Sequence, residues 1–470
     1  MAPLPRIHLT RREWIKPATV TSEDKRRMAL SDWDVVMYKS YTPLLLFYPN
    51  TNNAEGFMNT AMLLDSLRHV LNDFYPLAGR LVDVGNGRDE IECNDAGVLF
   101  QETTYQEELN TFVEDGYLPH QLDYHHMFPI HFYCSNQDPL LGIQVNRFLD
   151  GGVALGVMIL HKIADAYSAC LFLDAWAKQA RGVAFAKGVF KRTLLAFPSN
   201  TVITDEAISH YREEHRAFNP KHHRLRMDPN QQKFSRTSPN GPLPLKSIVL
   251  EFHSDGLHQC KKDAHTQQMI DNKIWLSTKD ALFGMLFRAI VRSRKVGPDQ
   301  PVRFLFGING RSKLKNVKDM DFYFGNWIIT RSVTTSRKEV SETTVVEAAL
   351  AFRQQINTLR SSLFHSISKI YTMNEDMTVH YLTYQPNSDT QFTASDASML
   401  PFWRLDFGFG RPDRTRGYIT SGGNGCMIMF GRSDNAKNAM YDVQIQMDAD
   451  CIKRFIEDPE VQKYANRILY

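Results

Sequence analysis

The stretch Leu140–Gly182 reads LLGIQVNRFLDGGVALGVMILHKIADAYSACLFLDAWAKQARG. Within it, Gly142–Leu149 and Val153–Leu160 are apolar, β-favouring runs separated by Asp150-Gly151-Gly152, which predicts a hairpin. The second run ends at His161-Lys162-Ile163-Ala164-Asp165. A helical period then runs from Ala166 to Arg181, with Leu171, Leu173, Ala175, Trp176, Ala177 and Ala180 as its apolar content. A histidine is thus delivered at the tip of a buried strand, where the chain breaks to begin a helix. A polar side chain at that depth is costly unless it is hydrogen-bonded, and such a corner holds a reactive group rigidly at a cavity edge. Taken alone, His161-x-x-x-Asp165 admits three readings. It is a core histidine with Asp165 as helix N-cap, a general base, or a pair of metal ligands, for which no third and fourth ligand stands at convincing spacing.

Upstream, Trp14–Pro17 reads as an entering strand and Leu44–Tyr48 as an apolar strand stopped by Pro49. Gly56–Phe74 has helical spacing through Met62, Leu63, Leu67, Val70 and Leu71 and is broken by Pro76 and Gly79. Ile91–Asn94 and Gly97–Phe100 read as short strands about an Asn94-Asp95 turn. Downstream, Ser209–Leu245 is rich in Arg, Lys, His, Gln, Asn and Pro with almost no apolar period, which reads as a solvated crossover. The second half opens on the strand Lys246–Phe252. Ser277-Thr278 caps a helix over Asp280–Arg294, and Val302–Asn309 is a strand left by Gly310-Arg311-Ser312. Thr344–Phe364 reads as one helix, Met427–Phe430 and Tyr441–Met447 as strands, and Ala449–Asp458 as the start of the closing helices. A β-rich order with interspersed helices, twice over, predicts an α/β protein of two mixed-sheet sandwiches. The expected division is residues 1–205, a linker over 206–245, and residues 246–470.

At 470 residues and 43% hydrophobic content the chain is long enough for two cores. A net charge of +3 makes no global electrostatic case for nucleic acid, and the basic crossover carries Glu213-Glu214 without interleaved aromatics. Six scattered cysteines form no CxxC pair, so reduced thiols in a cytoplasmic protein are expected, with neither a disulfide framework nor a zinc ribbon. The start MAPLPRIHLTRREW lacks a signal-like apolar run, and no stretch approaches the ~20 apolar residues that cross a bilayer. A soluble protein without a membrane partner is the expectation.

The order of several strings resembles the BAHD acyltransferases, CoA-dependent enzymes best described from plant specialised metabolism. These are Ile15-Lys-Pro17, Tyr75-Pro-Leu-Ala-Gly-Arg-Leu81, Ile91-Glu-Cys-Asn-Asp-Ala-Gly-Val-Leu-Phe100, His161-Lys-Ile-Ala-Asp165, Asn309-Gly-Arg311, Tyr323-Phe-Gly-Asn326 and Asp406-Phe-Gly-Phe-Gly410. His-x-x-x-Asp is shared with other CoA-dependent acyltransferases and with condensation domains, whereas the downstream pentapeptide is more particular. The early strings look most like hydroxycinnamoyltransferases. The resemblance implies two similarly folded, chloramphenicol-acetyltransferase-like domains with a channel between them. It also implies that residues of about 401–422 pack back on the first domain, and that the protein is a monomer with no permanently bound cofactor. Acyl-CoA would be the co-substrate, and a small-molecule alcohol or amine the acceptor.

The resemblance also assigns residues. His161 is the general base, since an imidazole can both take up and return a proton. Asp165 holds the corner by pairing with Arg311, and Ser395 is a candidate oxyanion donor. Ser277, Thr278 and Lys279 offer hydroxyls, N–H groups and a charge to CoA phosphate at a helix start. Asp406, Gly408 and Gly410 are architectural. There are three departures, of which the first is architectural and the other two bear on the acceptor. Phe409 stands where Trp is usual in the pentapeptide, and Ala397 stands where hydroxycinnamoyltransferases place an active-site Trp. Gln385–Ser395 lacks the longer loop that carries an acceptor-gripping Arg. A neutral or cationic acceptor is therefore expected over shikimate or quinate. The other classes left open are a non-catalytic or condensation-like binding protein and a metal-dependent hydrolase.

Overall fold

In the computed structural model the hairpin forms across Asp150-Gly151-Gly152, pairing Leu141–Arg147 with Val153–Leu160 in antiparallel register, Gly142 opposite Met158. Gly151 takes φ +75° in that turn, a backbone region that favours glycine. Gly156 serves a different purpose: a Cβ there would stand 2.1 Å from the Met127 carbonyl oxygen, so the strand accepts a crossing loop only because it has none. The structure describes residues 7–132, 134–215, 237–238, 241–242, 245–314, 317–373, 389–419, 424–432 and 440–470.

The hairpin lies in a six-stranded sheet ordered Ile7–Ile15, Val98–Tyr105, Leu141–Arg147, Val153–Leu160, Tyr41–Tyr48 and Arg414–Gly417. Only the Val98–Tyr105 and Leu141–Arg147 strands pair in parallel. A seven-stranded sheet runs Ile328–Ser336, Pro301–Asn309, Gln391–Ala397, Cys426–Gly431, Tyr441–Asp448, Leu245–Phe252 and Arg467–Leu469, with parallel pairing on both sides of Gln391–Ala397. Both sheets are mixed, as expected. Late in the chain, Arg414–Gly417 returns to the edge of the first sheet against Leu44–Phe47.

Every residue of Val153–Leu160 is buried, as a central strand covered on both faces requires. The helix Ala166–Ala180 that follows buries Phe172, Leu173, Ala175, Trp176 and Ala177, while Leu171 and Ala180 are only half-buried. Trp176 donates its Nε1–H to Leu63 O and Ser66 Oγ on the helix Thr60–Val70, which locks the two helices against the sheet. Two cores result, one under each sheet. The first also takes in Trp327, Phe364, Ala397 and Phe430 from the second half of the chain, so the halves are packed together.

Three expectations are corrected. Ser209–His215 is not solvated linker but the end of a helix, Asp205–His215, whose Ala207 and His210 are buried. Of the remainder of that crossover, 216–236, 239–240 and 243–244 lie outside the described residues, and Thr237–Ser238 pairs with Gly241–Pro242 in a short antiparallel ladder. The Asn94-Asp95 turn does not join two strands of one sheet: Arg88–Glu92 pairs within a three-stranded sheet and Val98–Tyr105 within the first large one. Asp95 takes φ +53° and its carboxylate accepts from Thr21 N–H and Oγ, pinning the chain as it changes sheet. Lastly, Thr344–Phe364 is two helices, Val345–Asn357 and the start of Ser361–Met373.

Candidate active site

His161 follows the last residue of the buried strand and is half-buried. Its backbone is fixed from two sides. The N–H donates to Ser40 O at 2.8 Å and the carbonyl accepts from Asn326 Nδ2 at 2.8 Å. Asn326 is itself fully buried, and its N–H and Nδ2 both donate to Asp34 Oδ1, at 2.7 and 2.9 Å. The other Asp34 oxygen accepts from Ser31 N–H and Oγ and lies 3.1 Å from Arg192 Nε. The imidazole has no such attachment: among the described residues Nδ1 is buried without a hydrogen-bond partner. Among the described residues no carboxylate holds that nitrogen, and the ring is placed by its backbone.

Asp165 is committed to other partners. It caps the helix Ala166–Ala180 by accepting from Ser168 N–H at 2.9 Å, and Trp327 N–H reaches its other oxygen at 3.1 Å. Arg311 completes the set with a two-pronged pair, Nη1 to Oδ2 at 2.7 Å and Nη2 to Oδ1 at 3.1 Å. Burial pushes the Asp165 carboxyl up, but the Arg311 charge, its hydrogen bonds and the two backbone N–H groups together hold it below the usual carboxylate range. Four donors occupy both oxygens, so Asp165 has no lone pair to share with His161 in ligating a metal, and the metal-hydrolase reading loses its second ligand. Arg311 leaves the strand Pro301–Asn309 of the second sheet, lies against the Tyr167 ring at 4.5 Å, and donates further to Tyr323 O, Gly325 O and Ser168 Oγ. The corner bearing His161 is thus tied to the other half of the chain.

Ser395 sits in the strand Gln391–Ala397 and is exposed. Its neighbours Phe392 and Ala394 enter the second core, while Ile428, its register partner, packs against the first, so Ser395 faces the first half of the chain. No hydrogen bond joins Ser395 to His161 among the described residues. Ser277 caps the helix Thr278–Ser293 in a reciprocal box: its Oγ donates to Asp280 Oδ2 at 2.7 Å and accepts from Asp280 N–H at 3.2 Å. Arg353 Nε also reaches that carboxylate, at 2.9 Å. Lys279 Nζ donates to Asp396 Oδ2 at 2.5 Å, which brings the helix start against the residue next to Ser395. Ala397, at the position the resemblance gives to a Trp, is buried in the first core. The loop before Ser395 begins at 385, and 385–388 lie outside the described residues.

Asp406 binds its own loop: Oδ1 accepts from Gly408 N–H at 2.7 Å and Gly410 N–H at 2.9 Å, both glycines having φ near +100°. Phe407 meets Trp176 edge-on at 4.9 Å, and Phe409 meets Phe57 at 5.3 Å, so the place of the usual Trp is filled by a smaller ring in contact. The sequence reading missed Asp34, Asn326, Asp280, Arg353 and Asp396. Two signals were present. Ser31-x-x-Asp34 and Ser277-x-x-Asp280 both have the spacing of a capping box, and Asn326 belongs to one of the strings that carried the resemblance.

A family model described as the transferase family matches residues 6–461. The chain belongs to this family, the BAHD acyltransferases. The BAHD chain is 25% identical over 410 residues to shikimate O-hydroxycinnamoyltransferase of Nicotiana tabacum, covering 87% of itself and 89% of that protein. It is 26% identical to hydroxycinnamoyl-CoA:5-hydroxyanthranilate N-hydroxycinnamoyltransferase of Avena sativa, over 81% and 83% of the two chains. Among solved structures, vinorine synthase superposes with a TM-score of 0.70 at 20% identity over 98% of both chains. TRI101 of F. sporotrichioides, complexed with coenzyme A and T-2, gives 0.75 at 16% over 94% of this chain and 100% of that one. The fold is the two-domain, chloramphenicol-acetyltransferase-like α/β fold of these proteins. The BAHD protein is an acyltransferase for groups other than aminoacyl groups. No helix among the described residues is long and apolar enough to cross a membrane.

Proposed function

We propose that this BAHD enzyme moves a hydroxycinnamoyl or other aromatic acyl group from coenzyme A to a hydroxyl or amine of a small acceptor, with His161 as general base. The observation that carries this reading is the presentation of His161. It stands at the end of a buried strand, with its backbone held by Ser40 and Asn326 and, among the described residues, no hydrogen-bond partner for its buried Nδ1. His161 accepts the proton of the acceptor's hydroxyl or amine as the oxygen or nitrogen attacks the thioester carbonyl. The tetrahedral oxyanion then collapses, expelling CoA thiolate, and His161 returns the proton to it. A positioned base contributes ~10²–10⁴-fold. Ser395 is proposed as an oxyanion donor, a role worth roughly 3–4 kcal/mol. Thr278, Lys279 and the first N–H groups of their helix, capped by Ser277, receive CoA phosphate. Asp165 and Arg311 act on the reaction only by holding the corner.

Ala397 leaves out the roughly 150–250 Å² that a tryptophan buries, so a neutral or cationic alcohol or amine is the proposed acceptor. The test is release of free CoA across a grid of acyl-CoAs and acceptors that includes shikimate, quinate, a neutral aromatic alcohol and a polyamine, each with p-coumaroyl-CoA. Turnover with the alcohol or the polyamine is expected, and clear preference for either acid overturns the acceptor assignment. His161→Ala is expected to bind CoA and lose transfer; near-normal turnover by that variant removes His161 from the mechanism.

A further inference from the structure

Lys279 is the cation proposed above to meet CoA phosphate, yet it is already neutralised. Its Nζ lies 2.5 Å from Asp396 Oδ2, and both side chains are part-buried, at 26% and 16% exposure. Asp396 is well suited to hold a cation in place. Its Oδ1 accepts from Ser398 N–H at 2.9 Å and Ser398 Oγ at 2.6 Å, which fixes the carboxylate and aims Oδ2 at the lysine. It stands near the carboxyl end of Gln391–Ala397, the strand that pairs in parallel with neighbours on both sides. The mouths of parallel strands are where α/β folds receive ligands. The other polar groups at this helix start are committed elsewhere. Ser277 Oγ and Asp280 bind one another, and Arg353 is spent on Asp280. Among the described residues, Lys279 is therefore the cation at this helix start that a phosphate can recruit, and recruiting it means taking it from Asp396.

We propose that Asp396 is a specificity-determining residue for the acyl donor. It holds Lys279 in an ion pair that only a phosphate-bearing donor displaces, and its own negative charge opposes phosphate bound without that displacement. The inference rests on the reading of the Thr278–Lys279 helix start as the phosphate-binding end of the CoA site. Donors that lack phosphate, such as a pantetheine thioester, gain nothing from Lys279 and leave the pair closed. A charge-removing change that keeps the Ser398 contacts, Asp396→Asn, frees the lysine and removes the opposing charge in one step.

The experiment measures dissociation constants by calorimetry for coenzyme A and for pantetheine, with the full chain, Asp396→Asn, Lys279→Ala and the double variant. Asp396→Asn is expected to tighten coenzyme A by about two- to fivefold, the range a part-exposed ion pair supports, and to leave pantetheine unchanged. Lys279→Ala is expected to weaken coenzyme A by about tenfold, as loss of a charge-assisted phosphate contact does. In the double variant the gain from Asp396→Asn is expected to disappear. A weakened Lys279→Ala together with an Asp396→Asn that fails to tighten coenzyme A overturns the proposal while leaving the phosphate site standing. Equal tightening toward pantetheine overturns it too, because the effect is then not one of phosphate. A Lys279→Ala with unchanged affinity for coenzyme A removes the phosphate site itself, and this inference with it.

Discussion

Asp165 keeps its charge with almost no water around it because Arg311, Ser168 N–H and Trp327 N–H converge on its two oxygens. Breaking such a pair from one side strands the other charge, at a cost of about 3–5 kcal/mol. Asp165→Ala and Arg311→Ala are each expected to lower stability by that amount and to lower activity with it. The double variant should fall well short of the sum, since contacting residues are non-additive; strict additivity in urea midpoints would show that the pair is not the linkage described. The pH dependence follows from the direction of the shift. A carboxyl held below its unfolded value, ~3.9 for Asp, stabilises the fold fully above that value, and the contribution is lost as pH falls through the lower folded value. Between pH 6 and pH 3 the wild-type midpoint should drop, and Asp165→Asn should remove part of that drop. The partner of Asp165 was legible only through the resemblance, because the two residues stand 146 positions apart and neither carries a local signal of the other. Asp34, which also supports the corner, had a capping-box signature, but nothing in its spacing says that its far oxygen serves Asn326.

Elements were legible where one local period decides them. The hairpin and the helix after Asp165 follow from alternation, a Gly-rich turn and a 3.6-residue period, all within 43 contiguous residues quoted above. The misread elements failed for tertiary reasons. The helix Asp205–His215 looks solvated by composition, yet its His210 is buried against Arg331, which also bonds Glu206 and Thr358 across the structure. That same Thr358 donates back to Gln355 O, at the place where one long helical period divides into two helices. The helix Thr278–Ser293 separates two roles that the sequence left joined at its start. Ser277 is occupied as the cap, so Ser277→Ala should cost about 1 kcal/mol in stability. Thr278, at the first helical position, carries no capping bond, so Thr278→Ala should leave the unfolding midpoint in place and weaken coenzyme A. If Ser277→Ala leaves the midpoint unmoved, or Thr278→Ala lowers it as far, the division of roles is wrong.

At the scale of the molecule, the strand Arg414–Gly417 hands two arginines from the edge of the first sheet to carboxylates of the second. Arg416 is fully buried; its Nη1 lies 2.6 Å from Asp442 Oδ2, while Nε and Nη2 donate to Gly116 O at 3.0 and 2.8 Å. Arg414 reaches Glu251 at 3.4 Å, and Arg432 reaches both Glu251 at 3.2 Å and Asp442 at 3.5 Å. Burial alone pulls the Arg416 guanidinium down, and the Asp442 charge, Tyr124, the hydrogen bond to Asp442 and the Glu251 charge together more than offset it, so the cation is retained inside the molecule. This network is a buried ionic tie between the two sheets, and the Asp165–Arg311 pair is one between the two halves of the chain. Arg416→Ala leaves Asp442 buried with a weakened partner set and should lower stability by about 3–5 kcal/mol. Replacing both, Arg416→Met with Asp442→Leu, should recover most of that loss, because apolar groups of similar volume often match a buried pair. The loss should also change the shape of unfolding. With one tie cut, the halves carry separate cores and are expected to melt in two calorimetric steps where the wild type melts in one. An Arg416→Ala variant that melts in a single step within ~0.5 kcal/mol of wild type would show that packing across the junction, and not the charge network, makes the two halves one cooperative unit.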